Sequence, residues 1–536
     1  MRLVPENIAM ISLSRCAVPL AALFAAAMAS GTCLADDLSG VVLSNLPARS
    51  SAAYAELKKA SGNATGETLE MTHSEMWNVD ASHLSALKNA AERAGVTVRI
   101  LDGSSRRALA PMAPATAMTP EQDRMMHDTM KQAHVMGMTM MALPPAEVLE
   151  YALTKGMASQ TSAAETARLD IQLTKSLAVT AIRTSINKTE TGYAWHGAVE
   201  ETGEPVTLIW WADGRLSGNV TYMGHIYSVR SLGGGMHGVI ELAPDQLPPD
   251  HAPMSERHKR DMGMMRDPLV EKGDASMLRA HRHTKNLEDA PDAPQRVAVL
   301  GPAAISGGHF RDVRTQPEVA ITVLAAFTKS SATFYSDIER DLIALAIEDA
   351  NQSFRMSGLG NVRLKLVHAY ETDYVENGSH FNHVFRFADK GNGIMDEVHA
   401  IRDQYKADVS VLIVNDPMGC GLAAQIRAPA DRAFAVVDQG CAATSYSLAH
   451  EIGHLIGARH DPGLDDSMEP FSYGHGFVHG TEWRTMMAYK ESCNGCARVP
   501  VWSSPSIRVK GEPAGDDVSD NARVIAEEAT RVADFR

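Results

Sequence analysis

The sequence predicts an α+β protein with an α/β-like mixed sheet in its C-terminal part, preceded by a β-rich domain. Three observations support this prediction. β-rich runs separated by turn residues fill about residues 167–245, strands alternate with helices after residue 297, and a segment without periodicity lies between them. A chain of 536 residues also exceeds what one hydrophobic core can hold, so we expect several domains.

The N-terminus has the features of an export signal. An apolar stretch over residues 16–30 is followed by small residues that fit a peptidase site after Ala35. This pattern predicts a signal peptide at residues 1–35 and a secreted protein, either extracellular or periplasmic. Pro19 and the short apolar run argue against a permanent membrane span. Lipidation at Cys33 is the alternative for this region.

Residues 36–245 form a predicted propeptide region with two distinctive parts. Residues from about 110 to 145 are rich in methionine and include His127 and His134. Such side chains suit copper(I), although methionines along a helix more often pack as flexible apolar groups. The β-rich part, about residues 167–245, is expected to form an antiparallel domain.

Residues 246–296 lose all periodicity and are predicted to be an exposed linker. This segment carries Pro248-Pro249, the basic pair Lys259-Arg260 and many charges. These features favour a protease-sensitive region. Cleavage here would release residues 297–536.

Strands and helices alternate in residues 297–536. Val319–Phe327 and the continuous apolar run Val409–Val414 predict strands, the second of them central in the sheet. A capping box at Ser336 predicts a helix to about Met356. Two further helices are expected, from Ile394 to about Tyr405 and from Ser519 to Phe535.

The motif at residues 450–460 indicates a catalytic metal site. His450 and His454 lie four residues apart on a predicted helix, so both can aim at one ion. Gly457 can end that helix and turn the chain so that His460 becomes a third ligand. Three imidazoles leave a fourth position open for water, as in catalytic zinc sites. Glu451 would then be the general base of amide hydrolysis.

This motif and the downstream Thr485–Tyr489 segment resemble the metzincin zinc metalloproteases. The resemblance implies a long active-site helix and one catalytic Zn²⁺, with Met487 as the hydrophobic floor of the Met-turn and Tyr489 as a residue that stabilises the reaction intermediate. Asp461 after the third histidine is similar to the reprolysin-like branch, in which it anchors the turn. The segments Tyr473–Gly476, Cys493–Val499 and Trp502–Pro505 look like those of bacterial peptidyl-Asp metalloendopeptidases.

The resemblance also concerns latency and specificity. It implies protein or peptide substrates and inhibition by the chain's own propeptide. No cysteine lies between residues 34 and 419, which excludes a cysteine latch and leaves a histidine, an aspartate or steric cover. Cleavage beside aspartate would require a basic residue in the cleft, for which Arg427, Arg432 and Arg484 are candidates. Nothing in the sequence indicates whether calcium is needed.

Four cysteines remain after the signal peptide, all in the last quarter of the chain. In an exported domain they suggest two disulfides, and we expect the local pairs Cys420–Cys441 and Cys493–Cys496. A structural zinc site made of the four is the competing interpretation.

Two classes of function stay open beside the peptidase. A net charge of −15 and the lack of a basic run argue against nucleic-acid binding. A non-catalytic, zinc-stabilised binding protein is the main alternative, although it would not need Glu451. A metal-handling role for the Met- and His-rich segments is the other.

Overall fold

The structure is a computed structural model that describes residues 38–101, 107–111, 118–155, 168–251, 305–307 and 317–536. The predicted signal peptide and residues 252–296 of the predicted linker lie outside the described residues. None of the helices in the described part combines the length and apolar character that a membrane crossing needs.

The first unit is a four-stranded antiparallel sheet with two helices on it. Its strand order is β2-β3-β1-β4, and helices α1 and α2 pack on Trp77 and Val41 at its core. The elements are β1 (Leu38–Ser44), α1 (Ala52–Ala60), β2 (Gly66–Leu69), β3 (Ser74–Asp80), α2 (Leu84–Ala94) and β4 (Thr97–Leu101).

The second unit is a closed nine-stranded barrel. Strand order around it is β10-β11-β12-β13-β6-β5-β7-β8-β9, and Trp195 and Trp210 are fully buried in its core. The elements are β5 (Arg107–Pro111), α3 (Pro120–Met130), β6 (Val135–Ala142), α4 (Ala146–Thr154), β7 (Arg168–Gln172), β8 (Ala178–Lys188), β9 (Gly192–Val199), β10 (Pro205–Trp211), β11 (Leu216–Tyr222), β12 (His225–Gly233) and β13 (Met236–Leu242).

The barrel extends further upstream than the sequence pattern indicates. Strand β6 comes from the Met-rich segment, which the sequence analysis separates from the β-rich part, and β5 ends at the start of that segment. Met125 packs with Leu232 and Met236, and Met140 contacts the same cluster. These methionines therefore contribute apolar contacts between helix α3 and the barrel wall.

The third unit is built on a five-stranded mixed sheet with the order β16-β15-β17-β19-β18. Strands β15, β16, β17 and β19 are parallel, and β18 is an antiparallel edge strand. This arrangement agrees with the predicted mixed α+β fold. Its strands are β15 (Val319–Thr328), β16 (Val362–Thr372), β17 (Val409–Val414), β18 (Gly421–Ala423) and β19 (Phe434–Asp438).

Helices cover both faces of this sheet, which explains why its central strands are apolar throughout. In β15, Val323 and Ala325 face one core, and Leu324 and Ala326 face the other. The helices are α5 (Lys329–Ala332), α6 (Ala344–Met356), α7 (His380–Ala388), α8 (Glu397–Tyr405), α9 (Ser447–Ile456) and α10 (Asn521–Ala533). Two small sheets complete the unit, formed by β14 (Ile305–Gly307), β20 (Val478–His479), β21 (Trp483–Arg484), β22 (Ala497–Arg498), β23 (Ser504–Val509) and β24 (Glu512–Ala514).

Three helix predictions need correction at their ends. The Ser336 hydroxyl does not cap a helix but donates to the backbone of Ser231 in the barrel, and Asp337 accepts the capping bond from Arg340 N. A π-helical turn over Glu339–Ile343 then leads into α6. The two later helices begin at Glu397 and Asn521, and α7 lacks a counterpart in the sequence analysis.

The barrel packs directly on helix α6 and the turn before it. Ile209 and Trp211 of the barrel join the main core of the third unit. Arg215 forms a buried ion pair with Asp341 (2.9 Å), and His196 contacts Glu348 (2.8 Å). The contact between the barrel and the third unit therefore buries several titratable side chains.

Asp349 is expected to make the stability of the full chain depend on pH. Burial raises the pKa of Asp349 to about 7, although bonds from Thr207 and Asn219 oppose the shift. The folded chain therefore holds a proton that the unfolded chain releases above about pH 4, so this stability is lost as pH rises toward 7. In Asp349→Asn, the free energy of unfolding should fall less steeply between pH 5 and 7 than in the parent. The two slopes should differ by at most about 1.4 kcal/mol per pH unit. Denaturant unfolding of both proteins checks this, and parallel profiles would contradict it.

Candidate metal centre

Helix α9 places two histidines and a glutamate in the interior. It runs from Ser447 to Ile456, and all ten residues are buried. Ten residues is an ordinary helix length, so the long active-site helix expected from the sequence is not observed. His450 and His454 lie one turn apart on the same face, as their spacing predicts.

A sharp turn after α9 brings the third histidine to the other two. Gly457 ends the helix with φ of 141°, a conformation that side chains rarely adopt. The chain then reverses, so that His460 Nε2 lies 2.8 Å from His454 Nε2 and 3.2 Å from His450 Nε2.

The orientation of two imidazoles is fixed by backbone carbonyls. His450 Nδ1 donates to the Met486 carbonyl (3.0 Å), and His454 Nδ1 donates to that of Ala458 (2.8 Å). The Nε2 lone pairs are therefore the ones that point at the cluster. Sequence reasoning did not identify the bond to Met486.

These residues fit a metal ion. Burial drives the pKa of each of the three histidines well below its usual value, so the imidazoles stay neutral and can act as ligands. Tetrahedral zinc with bonds of ~2.0–2.1 Å to nitrogen would set ligand nitrogens about 3.3 Å apart. The separation between His450 and His460 agrees with this value (3.2 Å), and that between His454 and His460 is shorter (2.8 Å). Imidazole donors suit zinc, and they also suit copper, iron and nickel.

The carboxylate of Glu451 lies beside this histidine cluster. Its side chain is 1% exposed, and burial raises its pKa. Its Oε2 has no hydrogen-bond partner among the described atoms. A Cβ at Gly421 would come within 2.5 Å of Glu451 Oε1, so glycine in edge strand β18 makes room for this carboxylate.

Asp461, Met487 and Tyr489 surround the cluster from the downstream loop. The Asp461 carboxylate accepts from Tyr489 N (2.9 Å) and from the Ser492 hydroxyl (2.7 Å), which ties the turn after His460 to this loop. Met487 is fully buried under α9, and a Cβ at Gly453 would lie 3.0 Å from its sulfur. The Tyr489 ring lies 4.2 Å from that of His460, centroid to centroid.

A fourth histidine joins the cluster from the segment after the barrel. His251 offers a ring nitrogen within 4.8 Å of the ligand atoms of His450, His454 and His460. Its Nε2 lies 3.3 Å from Glu451 Oε1, and its Nδ1 hydrogen-bonds with the Tyr489 hydroxyl. His251 was missed because it lies about 200 residues upstream, in the predicted linker.

Two residues near the start of that predicted linker are buried instead of exposed. Asp250 and His251 are 5% and 7% exposed. Burial alone would raise the pKa of Asp250, but Arg484 and Arg498 outweigh it and lower the pKa to about 2. At Asp250 the charge is therefore paired in the interior and does not face water.

The structure places the side chains of the three candidate arginines in different surroundings. Arg427 pairs with Glu528 at the surface, and Arg432 pairs with Asp389. Of the three, only Arg484 pairs its side chain with Asp250 next to the histidine cluster, and it is joined there by Arg498, which sequence reasoning did not single out.

The four cysteines form two disulfides in the pairs that the sequence analysis expects. Cys420 is bonded to Cys441, and Cys493 to Cys496. Their sulfurs are therefore not available as ligands of a structural zinc ion.

The chain is similar to known metallopeptidases. Residues 318–498 match Reprolysin_5, described as metallo-peptidase family M12. A peptidyl-Asp metalloendopeptidase of Xanthomonas campestris pv. campestris is 34% identical over 324 residues, which are 60% of this chain and 67% of that protein. A protein of the same name from Stenotrophomonas maltophilia (strain R551-3) is 33% identical over 343 residues, covering 63% of this chain and 72% of that protein.

A solved structure also shows some similarity. Metalloproteinase-II from Bacteroides fragilis matches 55% of this chain and 81% of its own chain, with 12% identity and a TM-score of 0.29. That likeness is too low to support an inference about this chain.

Proposed function

This chain belongs to metallo-peptidase family M12 and is a metalloendopeptidase, and we propose that it hydrolyses peptide bonds with one zinc ion held by His450, His454 and His460. The observation that carries the proposal is the convergence of three histidine Nε2 atoms beside the buried carboxylate of Glu451.

The proposed mechanism assigns proton transfer to Glu451. Zinc, when bound, lowers the pKa of a coordinated water to about 7 and polarises the substrate carbonyl. Glu451 would accept the proton of the attacking water and later return it to the leaving amine. The Tyr489 hydroxyl, which pairs with His251 here, would be free to hydrogen-bond a substrate carbonyl oxygen once His251 has left.

Supporting residues hold this geometry. In the proposal, Met487 is the hydrophobic floor of a Met-turn, Asp461 anchors that turn, and Gly457 allows the reversal that delivers His460. Asp461, Met487 and Gly457 are all buried next to helix α9, which supports these roles.

We further propose that the chain is a secreted precursor. The signal peptide would be residues 1–35, the propeptide residues 36–245, and the protease residues 297–536, with processing in the segment between them. Two disulfides agree with an exported domain. Burial of residues 250–251 against the histidine cluster supports inhibition by the propeptide side of the chain.

Chelation tests the proposal directly. Protein released by cleavage after residue 251 should digest casein, lose that activity fully with 1,10-phenanthroline, and regain it with added Zn²⁺. The reason is that, without the ion, neither Glu451 nor any other residue would activate the water and polarise the substrate carbonyl. Added Mg²⁺ is the control, since oxygen-preferring Mg²⁺ does not suit three imidazoles. A zinc-loaded protein without activity on varied substrates would instead favour the non-catalytic binding protein.

A further inference from the structure

The residues after the barrel lie in the cleft between edge strand β18 and Lys490, beside the histidine cluster. We call Leu247–His251 the cleft segment. Its backbone is held beside edge strand β18, where Cys420 N donates to the Pro249 carbonyl (2.8 Å) and Gly421 N to the Asp250 carbonyl (3.2 Å). Lys490 Nζ donates to the Leu247 carbonyl (2.9 Å) on the other side. Peptides that add to a sheet edge bind through main-chain bonds of this kind.

The side chain of Asp250 is enclosed by two arginines. Its Oδ1 lies 2.9 Å from Arg498 Nη2, and its Oδ2 lies 3.3 Å from Arg484 Nη1. Lys490 N donates a third bond to Oδ2 (3.2 Å). The exposed fractions of the Asp250 and Arg498 side chains are both 5%. This is a built site for one carboxylate.

The two arginines depend on that carboxylate. In the described part of the chain, their only ion pairs are with Asp250, and their remaining bonds go to neutral carbonyls such as those of Ala488 and Ser445. Arg498 Nε has no partner among the described atoms. Departure of the cleft segment would leave two buried cations without a carboxylate, which is costly. The emptied site would therefore favour an acidic side chain from another peptide.

The residue after Asp250 reaches the metal centre. His251 adds a fourth imidazole to the three histidines and contacts both Glu451 and Tyr489. A peptide whose aspartate lies between the arginines is therefore held with its neighbouring residue at the reacting groups. The arginine pair is thus close enough to position the bond to be cleaved.

From this geometry we propose that Arg484 and Arg498 form the subsite that binds an aspartate side chain of the substrate. In the precursor, Asp250 occupies this subsite and His251 is a fourth metal ligand, so the cleft segment is an internal competitor of substrate. The inference rests on the proposed peptidase function and adds its specificity residues and its inhibitor.

The subsite is tested with two peptides that differ only in Asp or Asn. The matured protein should prefer the Asp peptide, and Arg498→Gln should lower kcat/KM for it by about 10- to 100-fold, as expected for lost charge-assisted bonds. The Asn peptide should change less than about threefold. Arg498→Lys should keep part of the preference, because a cation remains.

Arg427→Gln is the matched control, since Arg427 pairs with Glu528 at the surface. A matured parent that cleaves both peptides equally, or an active Arg498→Gln protein that still prefers Asp, would overturn the subsite. A parent that cleaves neither peptide while loaded with zinc would contradict the proposed function instead. Arg484→Gln provides a second variant if Arg498→Gln does not fold.

The inhibitor is tested on the unprocessed full chain. Asp250→Asn should raise its activity on the Asp peptide at least tenfold, because the cleft segment loses its ion pairs. Asp245→Asn, the same change at an exposed position five residues earlier, should have no effect. Equal activity of the two variants would overturn the role of Asp250.

Zinc affinity gives a readout that does not depend on catalysis. Competition with a fluorescent chelator should show that His251→Ala, in the full chain, binds Zn²⁺ at least tenfold more weakly than the parent, since one of four ligands is removed. His251→Gln is the second variant. Unchanged zinc affinity in both would overturn the assignment of His251 as a ligand.

Discussion

Glu451→Gln in the matured protein is expected to reduce kcat/KM for peptide hydrolysis by about 10² to 10⁴-fold. The amide keeps the size of the side chain, and it cannot accept the proton of the attacking water. Zinc content should stay at the parent's level, because Glu451 is not one of the three proposed ligands. Rates on a fluorescent peptide, together with metal analysis of the same samples, check both parts.

The matched control is Glu512→Gln, the same substitution at an exposed residue in strand β24. It should leave activity unchanged. A zinc-loaded Glu451→Gln protein with parental kcat/KM would remove Glu451 from the mechanism. Loss of zinc in that variant would show that the carboxylate acts as a ligand.

His454→Ala is expected to weaken zinc binding on the order of 100-fold or more and to abolish hydrolysis at ordinary zinc concentrations. Its imidazole is fully buried, and its Nδ1 is bonded to the Ala458 carbonyl, so its Nε2 points into the histidine cluster. Because metal binding stabilises only the folded protein, the added stability from Zn²⁺ should shrink in this variant.

Zinc titration and thermal unfolding with and without Zn²⁺ measure these effects. His479→Ala is the control, since His479 lies nearby in sequence but stacks on Trp483 outside the cluster. A His454→Ala protein that binds zinc as tightly as the parent would mean that the ion sits elsewhere. The same two measurements on the control separate loss of metal from general loss of stability.

Much of the site could be predicted because its information is local in sequence. His450, Glu451 and His454 share one short helix, so their spacing alone fixes which of them lie on the same face. Gly457 and His460 follow within six residues, and a single turn decides where they go. The same holds for the cysteine pairs, which are 21 and 3 residues apart.

The sequence by itself determined the metal motif, the chemistry it supports, and the mixed sheet whose continuous apolar strands require helices on both faces. Only the tertiary structure decided what fills the cleft and which basic residues face it. Asp250 and His251 meet Arg498 and Glu451 across 200 or more residues, and Arg484 differs from Arg427 and Arg432 only in its neighbours. Hydrophobic periodicity indicates which face of a helix or strand is buried. A buried ion pair, in contrast, forms only when two segments that are distant in sequence fold next to each other. Asp250 and His251 therefore belong to a stretch that the sequence predicts to be exposed, whereas the structure buries both of them.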